Sequence, residues 1–292
     1  MPPDRFLILT ADDFGLHESI NEAVELASRT GALSAASLMM GAPATADAVR
    51  RARELPGLRT GLHLVLTDGI PVLPPDRIPS LVNAQGRFRS NLFTNGTRYF
   101  LSLAARRQLE AEIRAQFEAY AATGLALDHV NAHNHFHSHP TVLGMMLRIG
   151  REFGLRAMRL PYEPSGRAGR LGWFGGLGGF AIKGWFQMMK RRLQYAEVLC
   201  NDWLYGIRHT GGMNESRLLE RLRQLPLGVT EIYLHPATQS GAAIAHSMRD
   251  YNHLDELAAL RSPRVRAALT QLGIACGGYA DLVHLNSQRY AA

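Results

Sequence analysis

The chain has 292 residues, a normal length for a single α/β barrel, so length alone does not divide it into domains. With 46% hydrophobic and 20% charged residues it has the composition of a globular protein, which excludes extensive disorder or a fibrous repeat. The formal charge is +7, but residues 164–196 hold six basic side chains (Arg167, Arg170, Lys183, Lys190, Arg191 and Arg192) and no acidic one, so the excess is local.

The first apolar run, 6–10, predicts a strand that two carboxylates break at once, unlike a signal peptide with its cleavage site. No export is expected. Cys200 and Cys276 lie far apart without CxxC spacing, which removes a disulfide framework and a cysteine zinc site and fits a reducing cytoplasm. A helix is expected over 18–28 with Gly31 as its stop, a strand over 33–39, a helix over 46–55 ended by Pro56 and Gly57, and a strand over 59–66. Residues 69–100, rich in Pro, Gly and Asn, read as a long irregular insertion. A helix over 105–122, a strand over 127–132, a helix over 141–153 and a short strand over 157–160 follow. After a second insertion at 164–196, 215–224 reads as helix, 229–234 as strand, 253–272 as one or two helices split at Pro263, and 274–280 as a last strand. This alternation predicts one α/β domain over 1–292, a distorted (β/α) TIM-like barrel of about seven parallel strands, with an open doubly wound sheet as the competitor.

In a parallel barrel, reacting groups sit where strands end. Four strand ends carry candidates: Asp12 and Asp13 in ADDFG (11–15), His63 in GLHLVLTDG (61–69), the run His129 to His139, and His235 in LHPATQ (234–239). Adjacent aspartates can simply cap a helix. They also allow one carboxylate to bind a cation while its neighbour accepts a proton. Five of the twelve histidines fall within residues 129–139, and in extended chain His129, Asn131 and His133 share a face. A carboxylate with two histidines leaves positions open for water and substrate.

These motifs, with AASLMM (35–40), EIRAQFEAY (112–120) and DHVNAHNHFH (128–137), resemble the YdjC-like carbohydrate deacetylases, and within them the hopanoid-biosynthesis-associated branch. The resemblance implies a distorted barrel and one divalent metal ion, zinc or magnesium, held by Asp13, His63 and His133. It implies Asp12 as general base, with His235 as candidate general acid and His135 or His137 as competitors. Chitobiose-acting members often have Asp where this chain has Asn131, so no supporting role is carried over to that position. The substrate implied is an N-acetylglucosaminyl hopanoid, a membrane lipid, with soluble chito-oligosaccharides as the alternative.

Residues 171–189 contain one charge, Lys183, and six glycines, which make a poor helix and an improbable bilayer span. The segment is expected to be a lid, or an interfacial patch in which Trp173, Phe174, Phe180, Trp185 and Phe186 enter lipid while the basic residues meet anionic headgroups. His135, His137, Trp173 and Trp185 are the expected substrate contacts. A cytoplasmic protein, peripheral at the inner face of the membrane, follows. Nucleic-acid binding, suggested by a pI near 9.8 alone, has no recognisable binding motif behind it.

Overall fold

The structure, a computed structural model, describes residues 4–164, 177–241 and 244–282; of 177–182 it describes the backbone. Among these, seven parallel strands share one curled sheet. They are β1 (Arg5–Phe14), β2 (Ala35–Met39), β3 (Arg59–Leu64), β4 (Val130–Ala132), β5 (Trp203–Tyr205), β6 (Gly228–Leu234) and β7 (Ala275–Cys276). The order is β4-β3-β2-β1-β6-β5, with β7 paired to the start of β1. The helices are α1 (Glu18–Thr30), α2 (Thr45–Arg53), α3 (Leu92–Leu101), α4 (Leu103–Ala122), α5 (Pro140–Glu152), α6 (Leu177–Tyr195), α7 (Glu215–Arg223), α8 (His253–Arg261) and α9 (Pro263–Gln271).

Strand periodicity divides the core in two. Leu7, Leu9 and Ala11 of β1, Leu62 and Leu64 of β3, Val130 of β4 and Ile232 of β6 belong to the large apolar cluster that also takes in the helices. The alternate residues face the inside of the curl, as a two-residue period requires. There Phe6, Ile8, Ala35, Ala157, Tyr279 and Leu282 make a small apolar plug. Further along the same faces the interior turns polar, with Thr10, Asp12, Ser37, His63, Asn131 and Glu231 buried. The functional candidates stand on that polar layer.

The regular ladders do not close the expected barrel. Between β4 and β5, the predicted strand at 157–160 survives only as isolated parallel bridges, Val130 to Met158 and Ala157 to Leu199. The Asn201 amide substitutes for a strand there: it accepts from Leu160 N at 2.7 Å and donates to Leu160 O at 3.0 Å. A buried Arg159 interrupts the apolar run and uses the interior differently.

Three other expectations are corrected. The insertion at 69–100 is not irregular throughout, because Asn91 caps α3 by accepting from Thr94 N at 2.9 Å. The glycine-rich segment is helical over its described part: Met189 and Leu193 of α6 are fully buried and Phe186 packs on Tyr162, so tertiary packing overrides weak propensity. The last strand is two residues long, since Gly278 and Tyr279 turn the chain to bond Asp281 and Asp128. Trp173 and Phe174, with the side chain of Phe180, lie outside the described residues. No helix among the described residues is long and apolar enough to cross a membrane.

Candidate metal centre

The two aspartates reach the same place because β1 is not regular at its end. Its register against β2 runs Thr10 to Ala35 and Ala11 to Ala36, then slips so that Phe14 meets Leu38. Asp12 keeps the inward parity of Phe6, Ile8 and Thr10. Asp13 should point outward, but its backbone adopts φ 62°, a left-handed conformation costly for a residue with a Cβ. The bulge turns the second carboxylate back inside, a common use of bulges beside functional sites.

Asp13, His63 and His133 each bring one ligand atom to within 4.8 Å of the others. Asp13 Oδ1 lies 3.0 Å from His133 Nδ1 and 3.2 Å from His63 Nε2. Asp13 Oδ2 is buried with no hydrogen-bond partner among the described residues, and His235 Nε2 stands 3.8 Å from it. A fully buried carboxylate oxygen without a donor is costly unless something positive completes it. Burial opposes the ionisation of Asp13, but the charge and hydrogen bond of His133 lead the effects that outweigh it and hold the carboxyl well below its usual range. These residues fit a divalent ion.

A continuous hydrogen-bond chain sets the protonation of His63. Asn131 Nδ2 donates to Ser37 Oγ at 2.9 Å and to Asp12 Oδ1 at 3.2 Å, so its Oδ1 is an acceptor. His63 Nδ1, 2.6 Å from that oxygen, therefore carries the proton. Its Nε2 presents a lone pair towards Asp13, the tautomer a metal ligand needs. Behind Ser37, the hydroxyl meets His129 Nε2 at 3.0 Å and His129 Nδ1 meets Asp128 Oδ2 at 2.9 Å. Gly61 allows this approach: a Cβ there would stand 2.5 Å from the His129 ring. Asn131 thus has the supporting role withheld from it on sequence grounds.

Asp12 lies beside the cluster and is held by a residue that the sequence did not flag. Arg159 Nη1 donates to Asp12 Oδ2 at 2.5 Å and Nη2 to Oδ1 at 2.9 Å; Nη2 also donates to Glu231 Oε1 at 2.7 Å. All three residues are buried. Burial works against the Asp12 anion, yet Arg159 outweighs it and keeps the carboxyl far below its ordinary value. Glu231 is further tied by Thr10 and Tyr279, each at 2.7 Å. The one available sign was a charged residue inside each of two apolar strand-like runs.

The histidine run divides after His133. Asn134 and His135 take φ 54° and 52°, which turns the chain out of β4 into a 3₁₀ segment, His133–Ser138. His135 is half-buried, with Nε2 3.1 Å from the Tyr233 hydroxyl. His137, expected as a competing acid or substrate contact, is fully buried with both ring nitrogens engaged by the backbone. Its Nδ1 accepts from Ala132 N at 3.1 Å and its Nε2 donates to Arg159 O at 3.0 Å. Burial pushes it down to about 3, so it stays neutral. Trp185 is half-buried and donates to Ser138 O at 2.9 Å, so its indole serves this turn.

On the opposite wall, Glu256 accepts from His235 N at 2.5 Å and Met213 N at 2.8 Å and fixes the loop that carries His235. The His235 ring lies against Tyr233 and Tyr251 with centroids at 5.5 and 5.1 Å. Burial lowers His235 despite the two aspartates, which leaves the ring neutral. A cavity of about 710 Å³ opens beside His133, with Leu16, Asp68, Ile70, Arg87 and Met248 among its lining residues. Such a mixed apolar and polar lining suits a small organic ligand.

The YdjC-like protein family matches residues 6–271. A carbohydrate deacetylase of Brevibacillus brevis is 39% identical over 147 residues, which are 50% of this chain and 56% of that protein. A chitooligosaccharide deacetylase of Serratia marcescens is 28% identical over 284 residues, 96% of this chain and all of the other. Among solved structures, a proposed cellobiose-phosphate cleavage protein of Enterococcus faecalis V583 superposes with a TM-score of 0.73 at 23% identity, covering 96% of this chain and 99% of that one. This last likeness concerns the fold alone.

Proposed function

The chain belongs to the YdjC-like protein family, and from that premise we propose that it is a metal-dependent N-deacetylase of N-acetylated amino sugars. The observation that carries the reading is the Asp13, His63 and His133 cluster, with its undonated carboxylate oxygen, next to a second ionised carboxylate. The chemistry an ion supplies when bound there is Lewis acidity towards an amide carbonyl and a water molecule.

The chain's own residues supply the rest. Asp12 accepts the proton of the attacking water, and the Arg159 guanidinium that holds it ionised makes it surrender that proton readily to the next group. The proton captured by Asp12 charges the otherwise neutral His235 ring at its unpartnered Nδ1, and the imidazolium so formed passes it to the departing amine. His135 and the cavity beside His133 hold the sugar. Acetate and a free amino sugar result.

The finer reading is a glycolipid substrate, an N-acetylglucosaminyl hopanoid, met at the inner face of an anionic cytoplasmic membrane by a peripheral protein. The motifs at 35–40, 112–120 and 126–142 support it. The soluble chito-oligosaccharide reading draws on the Serratia marcescens relative, which matches this chain almost end to end. Mass spectrometry of both substrates after incubation, with and without chelator, tests the proposal. Loss of about 42 Da, acetyl replaced by hydrogen, is expected from one of them and only with metal. No mass change on either, with metal-loaded protein, would end the deacetylase reading.

A further inference from the structure

Five of the eleven large hydrophobic side chains exposed among the described residues crowd into the twelve residues 92–103: Leu92, Phe93, Phe100, Leu101 and Leu103. Phe93 is 84% exposed, Leu101 71% and Leu103 69%. Single exposed apolar residues are ordinary, but a contiguous set marks a surface that meets something else. This set is contiguous: Leu92, Phe93, Phe100 and Leu101 line one shallow groove of about 400 Å³ together with His139.

The groove is tied to the turn that follows His133. His139 follows the turn that carries His133, and its Nε2 donates to Gly96 O of α3 at 3.0 Å. Its ring stacks on Phe136 at 5.9 Å and meets the edge of Phe100 at 6.3 Å. On the other flank, Trp185 fastens α6 to Ser138, and α6 presents Met188 and Lys183 to solvent.

Charge identifies the occupant. Residues 78–109 contain no acidic residue and five arginines, at 87, 89, 98, 106 and 107. None of the five makes an ion pair with a carboxylate among the described residues. Arg106 instead lies over the Phe100 ring at 5.8 Å, a cation seated at the rim of the apolar groove. A second copy of the chain set against this face would bring like charges together. An anionic, apolar-cored partner satisfies both features at once.

We propose that the α3–α4 face is a docking surface for an anionic lipid bilayer. Phe93, Phe100, Leu101 and Leu103 enter the boundary between headgroups and acyl chains, and Arg106 and Arg107 meet the lipid phosphates. The mouth beside His133 then faces lipid-borne sugars. This deepens the glycolipid reading and rests on it for its purpose, but vesicle binding is read without turnover, so the two fail separately.

The test is co-sedimentation of the full chain with vesicles of phosphatidylglycerol and phosphatidylcholine, and of phosphatidylcholine alone. The chain should bind the first and leave the second in the supernatant. The double variant Phe93→Asp/Leu101→Asp should lower the bound fraction at least about tenfold. Leu227→Asp, exposed just ahead of β6 at the other end of the strands, should bind like the parent. Arg107→Glu, on an exposed turn of α4, should weaken binding by a route that leaves the apolar residues in place. Equal binding to both vesicles, unchanged binding by the double variant or by Arg107→Glu, or a dimer in solution that the double variant splits, would each overturn the proposal.

Discussion

Arg159 lays its two terminal nitrogens along the two oxygens of Asp12, at 2.5 and 2.9 Å, in a site sealed from solvent. Breaking a buried pair leaves an uncompensated charge, which costs about 3–5 kcal/mol. Arg159→Met should show that loss in urea unfolding at pH 7. Asp12 is depressed in the folded protein, so its contribution is fully present above its unfolded value and is lost progressively as pH falls from there through its lower folded value. The penalty of Arg159→Met should therefore shrink below about pH 5, where the stranded carboxylates can take protons. A penalty independent of pH would contradict the pairing.

Asn131 acts on the metal through His63. Replacing it with leucine removes the acceptor that fixes the His63 tautomer, and such partners are worth about 10–100-fold in metal affinity. Competition with a chelating indicator should report that drop. His133→Ala, which removes a ligand outright, should leave less bound metal by elemental analysis than Asn131→Leu does.

The left-handed backbone at Asp13 can be weighed apart from its carboxylate. Asp13→Ala and Asp13→Gly both delete the ligand and should both abolish turnover. Only alanine keeps a Cβ at φ 62°. Thermal unfolding should find the glycine variant more stable by about 1 kcal/mol. The reverse order would mean that the bulge relaxes without its side chain.

His137 makes stability depend on pH. Its folded value of about 3 lies below its ordinary 6.5, so the unfolded chain binds the extra proton between those limits and stability falls as pH falls through that window. The slope for one such group is about 1.4 kcal/mol per pH unit. Unfolding free energies at pH 6.5 and 5 should differ less in His137→Gln than in the parent, by up to about 2 kcal/mol.

Much of this arrangement was legible in the chain. The apolar run before Asp12, the parity that puts His129, Asn131 and His133 on one face, and the glycine after Phe14 follow from strand geometry and turn chemistry. What escaped had physical reasons. Arg159 and Glu231 are charges inside apolar strand-like runs, and each makes sense only once the other is beside it, far away in sequence. The six glycines of 171–189, three of them inside α6, argued against a helix, but Met189 and Leu193 are driven inside by a surface that no local pattern contains. The histidine run read as one cluster, while the positive φ at Asn134 and His135 sends His137 inside the fold instead of to the site.

The placement of β1 bears on the order in which the molecule can assemble. Only the end of β1 is covered by β2, close behind it in the chain; its start waits for β7, and its other edge for β6, made from residue 228 on. The side chains at 13, 63 and 133 thus leave the ribosome while the strand that must carry the first of them still has an open flank. A chain truncated before β6 should keep every metal-binding side chain and yet lack the rigid frame that bends Asp13 towards its partners.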